Sequence, residues 1–167
     1  QTAGSGPVLL LLHGAGGSTH SYRDLFPLLS NDYTIIAIDL PGHGFTQLGA
    51  GQRSGLAAMA QDVARLCAQE GWQPLAIVGH SAGAAVALQR AMDATARGDR
   101  PPHVIGLNAA LGEFPGLAGL VFPLMAKALA AMPFATTLFS TTSANPARIK
   151  TLIASTGSEL DATGYDL

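Results

Sequence analysis

The sequence predicts an α/β protein: a parallel sheet core with helices on both faces and a helical lid segment. Three observations predict it. Short apolar runs alternate with stretches of helical periodicity, the first of these runs, Val8 to Leu12, is apolar throughout, and another ends in Gly79-His80-Ser81-Ala82-Gly83. Runs without polar alternation read as strands buried on both faces, the pattern of a parallel sheet covered by crossover helices. Those crossovers are right-handed.

Val8 to Leu12 is the first such run, ending at His13-Gly14. Ser18 and Thr19 can cap a helix running to about Ser30, and Tyr33 to Ile38 gives a second strand that stops at Asp39. Leu56, Met59, Ala60, Val63, Leu66 and Cys67 recur at helical spacing, with Gly71 as the stop signal. A third strand, Leu75 to Val78, turns at Gly79 to Gly83 into an alanine-rich helix ending near Gly98. A fourth strand, His103 to Leu107, follows Pro101-Pro102. Beyond Asn108 the strand pattern ceases, so residues 1–110 are assigned to the core and 111–167 to a helical lid or cap segment. The chain starts at Gln1 and is almost at once in an apolar strand, so the expectation is an excerpt truncated at both ends.

Composition removes several functions. The 167 residues suffice for one core. The net charge is -2 and the nine Lys and Arg are scattered, which excludes the basic footprint of a nucleic-acid binder. Cys67 is the only cysteine, so an internal disulfide is impossible and a reducing, cytoplasmic home is expected. The most apolar stretch, Leu117 to Met132, is interrupted by Gly119, Pro123 and Lys127, which argues against an integral membrane segment and leaves peripheral contact open.

The pentapeptide Gly79-His80-Ser81-Ala82-Gly83 matches G-x-S-x-G, in which the serine sits in a strained strand-to-helix turn between two small residues. Ser81 is the candidate nucleophile. The bland reading is a glycine-rich turn whose serine merely caps the helix. His13-Gly14-Ala15-Gly16-Gly17 ends the first strand, where a backbone N–H can face a developing oxyanion. Ala15 and Ala82 are the expected donors, and each such donor contributes on the order of 3 kcal/mol in the transition state. His13, Gly14 and His80 are expected to line the site. The rival reading of Gly14-Ala15-Gly16-Gly17 is a dinucleotide fingerprint with Asp39 on the ribose, an NAD-binding module. Against it, Thr19 replaces the third glycine.

The histidines His13, His20, His43, His80 and His103 show no metal-ligand spacing, so no metal and no cofactor is expected. His103 is the only histidine after Ser81, but it begins the fourth strand while Ser81 lies past the end of the third. At about 3.3 Å per residue, roughly 15 Å separates those levels. Asp93 and Asp99 lie on or just after the elbow helix, and Asp161 and Asp166 lie in the lid. The triad acid and histidine are therefore expected beyond Leu167.

From Val8 to about Leu107 the chain resembles the α/β-hydrolase superfamily, through His13-Gly14, Asp39-Leu40-Pro41-Gly42-His43-Gly44 and the Ser81 turn. More narrowly, Thr19 to Leu25, Asn108 to Gly112, Phe114 to Gly119 and Ser155 to Ser158 are similar to the magnesium-chelatase accessory family of bacteriochlorophyll biosynthesis. That resemblance implies a cytoplasmic protein of photosynthetic bacteria acting near magnesium insertion into a porphyrin. The leading expectation is a serine hydrolase acting on an ester or related acyl substrate with an apolar body. Phe114, Leu117, Leu120, Val121, Phe122 and Met125 could line an apolar pocket under the lid, or simply pack on the sheet. The alternative is a non-enzymatic accessory protein that binds a porphyrin intermediate or magnesium chelatase, with Ser81 idle.

Overall fold

A computed structural model describes residues 1–48 and 55–112. Its centre is a five-stranded sheet in the order β1-β3-β2-β4-β5, with β1 at Thr2–Ala3, β2 at Val8–Leu12, β3 at Thr34–Ile38, β4 at Pro74–His80 and β5 at His103–Leu107. All neighbours are parallel except β1, which runs antiparallel to β3. The four apolar runs became four parallel strands, as expected. β1 was not anticipated, because two residues carry no periodicity.

Both faces of the central strands β2, β3 and β4 are covered, which explains why they read as apolar runs, while β5 is largely exposed among the described residues. On one face Leu10, Leu12, Ile36 and Ile77 pack with Ala60, Val63 and Cys67 of helix α2 (Leu56–Gln69) and Val86 and Ala87 of helix α3 (Ala82–Ala96). On the other, Leu11, Ile35, Ala37 and Val78 meet Tyr22, Leu25, Phe26 and Leu29. Leu10, Leu11 and Leu12 are fully buried, each contributing about 1.5–3 kcal/mol of apolar transfer.

The helix expected from Ser18 to about Ser30 is instead a 3-10 turn, Thr19–Tyr22, followed by a single α turn, α1, at Phe26–Leu29. Ser18 does cap the first piece, accepting from the His20 N–H. Pro27 explains the break: it has no N–H to give the Arg23 carbonyl, as a continuous helix would require. Gly71 and Gly98 stand at positive φ just past α2 and α3, where left-handed backbone ends a helix. β4 runs two residues further than expected, so Gly79 and His80 belong to the strand and the turn falls on Ser81 alone. Among the described residues no helix is long and apolar enough to cross a membrane. The lid expected over 111–167 lies, from Glu113 on, outside the described residues.

Candidate active site

The strand order sets the position of the site. β2 sends its connection to β3 on one side, while β4 sends its connection to β5 on the other. The carboxyl ends of β2 and β4 are paired, with Leu12 opposite Gly79, so a crevice opens between the two departing chains, the usual ligand position of an open parallel sheet. His13-Gly14-Ala15 leaves one strand there and Ser81 leaves the other.

Ser81 takes φ 51° and ψ -116° between β4 and α3, a backbone conformation that side chains other than glycine rarely adopt. Three hydrogen bonds hold it. The Ser81 N–H donates to Leu107 O at 3.0 Å, and the Ser81 carbonyl accepts from the N–H groups of Ala84 at 3.1 Å and Ala110 at 3.2 Å. Its side chain forms no capping hydrogen bond to α3. The helix-cap reading of this serine is therefore not what the chain adopts.

The flanking glycines are required by contact. A Cβ at Gly83 would run into the carbonyl oxygens of Leu12 and His13, and a Cβ at Gly79 into the backbone of Gly83 and Ala84. A Cβ at Gly14 would stand 3.0 Å from His80 Nδ1 and 3.1 Å from Ser81 Cβ. Thus the loop after β2 lies directly against the serine turn. Within that loop the Gly17 N–H donates to Gly14 O at 3.0 Å, with Gly16 at φ 74°. This is a tight turn whose third residue needs glycine.

Ala15 and Ala82 share a cavity of about 390 Å³ with Leu40, His43, Met59 and Val86. Half-buried Ser81 is one residue from this lining. Gly14 lines it as well. His13 does not: it is fully buried beneath the loop. His80 is exposed, beside Gly14. Phe114, Leu117, Leu120, Val121, Phe122 and Met125 lie outside the described residues. His43 was the residue that sequence reasoning left without a place. The signal was available, because it sits in the Pro41-Gly42-His43-Gly44 turn at the carboxyl end of β3.

Two polar groups, His13 buried and Asp39 half-buried, stiffen the rim. His13 Nδ1 donates to Gly14 O at 2.7 Å, while Nε2 accepts the Leu40 N–H at 3.0 Å. One neutral tautomer satisfies both bonds. Burial lowers the His13 pKa below 6.5, outweighing the Gly14 carbonyl that favours the charged ring. Asp39 accepts the Thr19 N–H at 2.7 Å on one oxygen and the Phe45 N–H at 3.1 Å on the other. Burial opposes its charge, but these N–H groups prevail and hold the carboxyl below its ordinary value. With both oxygens committed, Asp39 is a latch between loops. No α-helix opens directly after Gly17 to receive a pyrophosphate, so the dinucleotide reading lacks both its acid and its helix terminus.

His103 pairs with Ala76 while Leu107 pairs with His80, which puts His103 at the opposite edge of the sheet from Ser81, as its position in the strand implied. Among the described residues no group of three His, Cys, Asp or Glu side chains could hold a metal ion.

Residues 7–159 match the family model described as alpha/beta hydrolase fold. The chain is 50% identical over 159 residues to the magnesium-chelatase 30 kDa subunit of Rhodobacter capsulatus, covering 95% of this chain and 54% of that protein. It is 37% identical over 94 residues to a fluoroacetate dehalogenase of a Burkholderia species, covering 54% of this chain and 31% of that one. A solved alpha/beta hydrolase fold protein from Burkholderia ambifaria superposes with a TM-score of 0.68 at 20% identity, covering 99% of this chain and 57% of the other. The chain thus spans about half the length, or less, of the curated relatives it matches.

Proposed function

The chain belongs to the α/β-hydrolase fold family, and from that premise we propose that it carries the nucleophile and oxyanion hole of a serine hydrolase. Ser81 attacks the carbonyl of an ester or related acyl group, and the N–H groups of Ala15 and Ala82 receive the oxyanion. The observation that carries this reading is the conjunction at one crevice of a strained serine turn with both donor residues on one cavity beside it. A serine serving only as a helix cap has no need of φ 51°; a nucleophile that must stand clear of the sheet does.

Because the donors are backbone groups fixed by the Gly14–Gly17 turn and the first turn of α3, they need no reorganisation during reaction. The acid and the histidine that would complete the triad are assigned to chain outside the described residues. A largely apolar cavity wall, with Leu40, Met59 and Val86, favours a substrate with an apolar body. A cytoplasmic site of action, with peripheral membrane contact, and a lid over 111–167 belong to the same proposal.

A second reading rests on the 50% identity to a magnesium-chelatase subunit. In it the fold serves bacteriochlorophyll biosynthesis by binding a porphyrin intermediate or magnesium chelatase, and Ser81 is idle. Labelling of the full-length protein by a fluorophosphonate separates the two. Labelling that disappears in Ser81→Ala supports the hydrolase, and a folded protein with its histidine intact that resists labelling refutes it.

A further inference from the structure

A second cavity lies at the other edge of the sheet, where β4 and β5 begin. It is about 620 Å³ and is lined in part by Trp72, Leu75, Arg90, Arg100, Pro101 and His103. Pro74 at this edge stands seven positions before Ser81, roughly 20 Å at the rise of a strand. The pocket is therefore distinct from the serine crevice.

Arg90 points to what the pocket holds. Its Nη1 is buried and has no hydrogen-bond partner, and a buried guanidinium donor without a counter-charge is strongly disfavoured. Among the described residues no ion pair holds Arg90. Asp93, one helical turn further along α3, accepts from Gln89 Nε2 at 2.7 Å, and Asp99 accepts from Arg97 Nε at 3.0 Å. Cys67, also in the lining, supplies no charge, because burial raises its thiol pKa despite the nearby Arg90. Arg100 and His103 add further donors, while Trp72, Leu75 and Pro101 give the wall an apolar surface.

We propose that this pocket binds a small organic carboxylate, its head group on Arg90 and Arg100 and its apolar body against Trp72 and Pro101. A carboxylate fits better than a bare inorganic anion because the wall joins the apolar surfaces of Trp72, Leu75 and Pro101 to the donors of Arg90 and Arg100, and Asp99 on the same wall disfavours a multiply charged ion. The Arg90 guanidinium turns outward from its buried position to meet it.

Trp72 is the only tryptophan of these 167 residues and lines this pocket, so the part of an emission change that disappears in Trp72→Phe reports on it. Titration with phenylacetate is expected to change that emission saturably and to raise the melting temperature. The neutral isostere phenylacetamide should bind about ten-fold more weakly, or worse, because it lacks the charge that Arg90 recognises. Arg90→Met should weaken phenylacetate by about ten-fold or more while leaving phenylacetamide unchanged. Equal affinity for acid and amide, unchanged phenylacetate binding in Arg90→Met, or no saturable response overturns the proposal. So does a response to inorganic phosphate as strong as that to phenylacetate. Should Arg90→Met fail to fold, the acid-against-amide comparison in the unaltered protein decides.

Discussion

Replacing Ser81 by glycine should make the protein more stable while removing the proposed nucleophile. At φ 51° and ψ -116° a side-chain-bearing residue carries strain of order 1–3 kcal/mol. Glycine relieves that strain but loses about 0.5–1 kcal/mol of additional chain entropy on folding. No side-chain capping bond is sacrificed, since Ser81 makes none to α3. The net expectation is a gain of about 1 kcal/mol, or about 2–4 °C in melting temperature for a chain of this size. Ser81→Ala is the control. It keeps the Cβ and the strain, so its stability should stay within about 0.5 kcal/mol of the parent. Urea denaturation with calorimetric melting, both variants beside the parent, measures the difference. If Ser81→Gly is no more stable than Ser81→Ala, the turn stores no strain and the account of its geometry is wrong.

Three other outcomes follow from contacts around the site. Gly83→Ala drives a Cβ against the Leu12 and His13 carbonyls and should cost about 2–3 kcal/mol, read as a lowered urea midpoint; a loss under about 0.5 kcal/mol contradicts the packing described. Tyr22→Phe removes the hydroxyl that donates to Leu12 O at 2.7 Å and should cost about 1 kcal/mol; in the parent, burial first of all pushes that hydroxyl up to about 12 against a favourable His80 N–H, so spectrophotometric titration should show one tyrosine ionising late. His13 has a folded-state pKa below its ordinary 6.5, so the unfolded chain takes up its proton first as pH falls. Its contribution to stability is complete above about pH 6.5 and declines below it until the lowered folded value is reached; urea midpoints between pH 7 and pH 5 should fall more steeply in the parent than in His13→Gln, and parallel slopes refute the assignment.

The parts that proved legible were those whose physics is local or repetitive. Val8–Leu12 declared itself by unbroken apolarity, His103–Leu107 by its place after Pro101-Pro102, α2 by its spacing from Leu56 to Cys67, and the ends of α2 and α3 by Gly71 and Gly98. The Gly79 to Gly83 spacing marked a strained turn because both glycines answer to steric contacts that no other residue relieves. What stayed hidden depends on distant partners. Whether Ser18 opens one helix or two pieces turns on where Pro27 falls, which was in the sequence but was not weighed. β1 exists only through pairing with β3. His13 looked like a site residue because it directly follows β2, yet its ring bonds are spent on Gly14 and on Leu40, twenty-seven residues away. The same long-range pairing turned Asp39 from a ribose-binding candidate into a latch.

The most direct test of the serine site is the position of a covalent adduct. Full-length protein treated with a fluorophosphonate, digested and mapped by mass spectrometry, should carry the phosphonyl group on the peptide containing Ser81, at that hydroxyl and at one equivalent per chain. An adduct on another residue, or none in protein that is folded and has its histidine in place, contradicts the assignment of Ser81 as nucleophile.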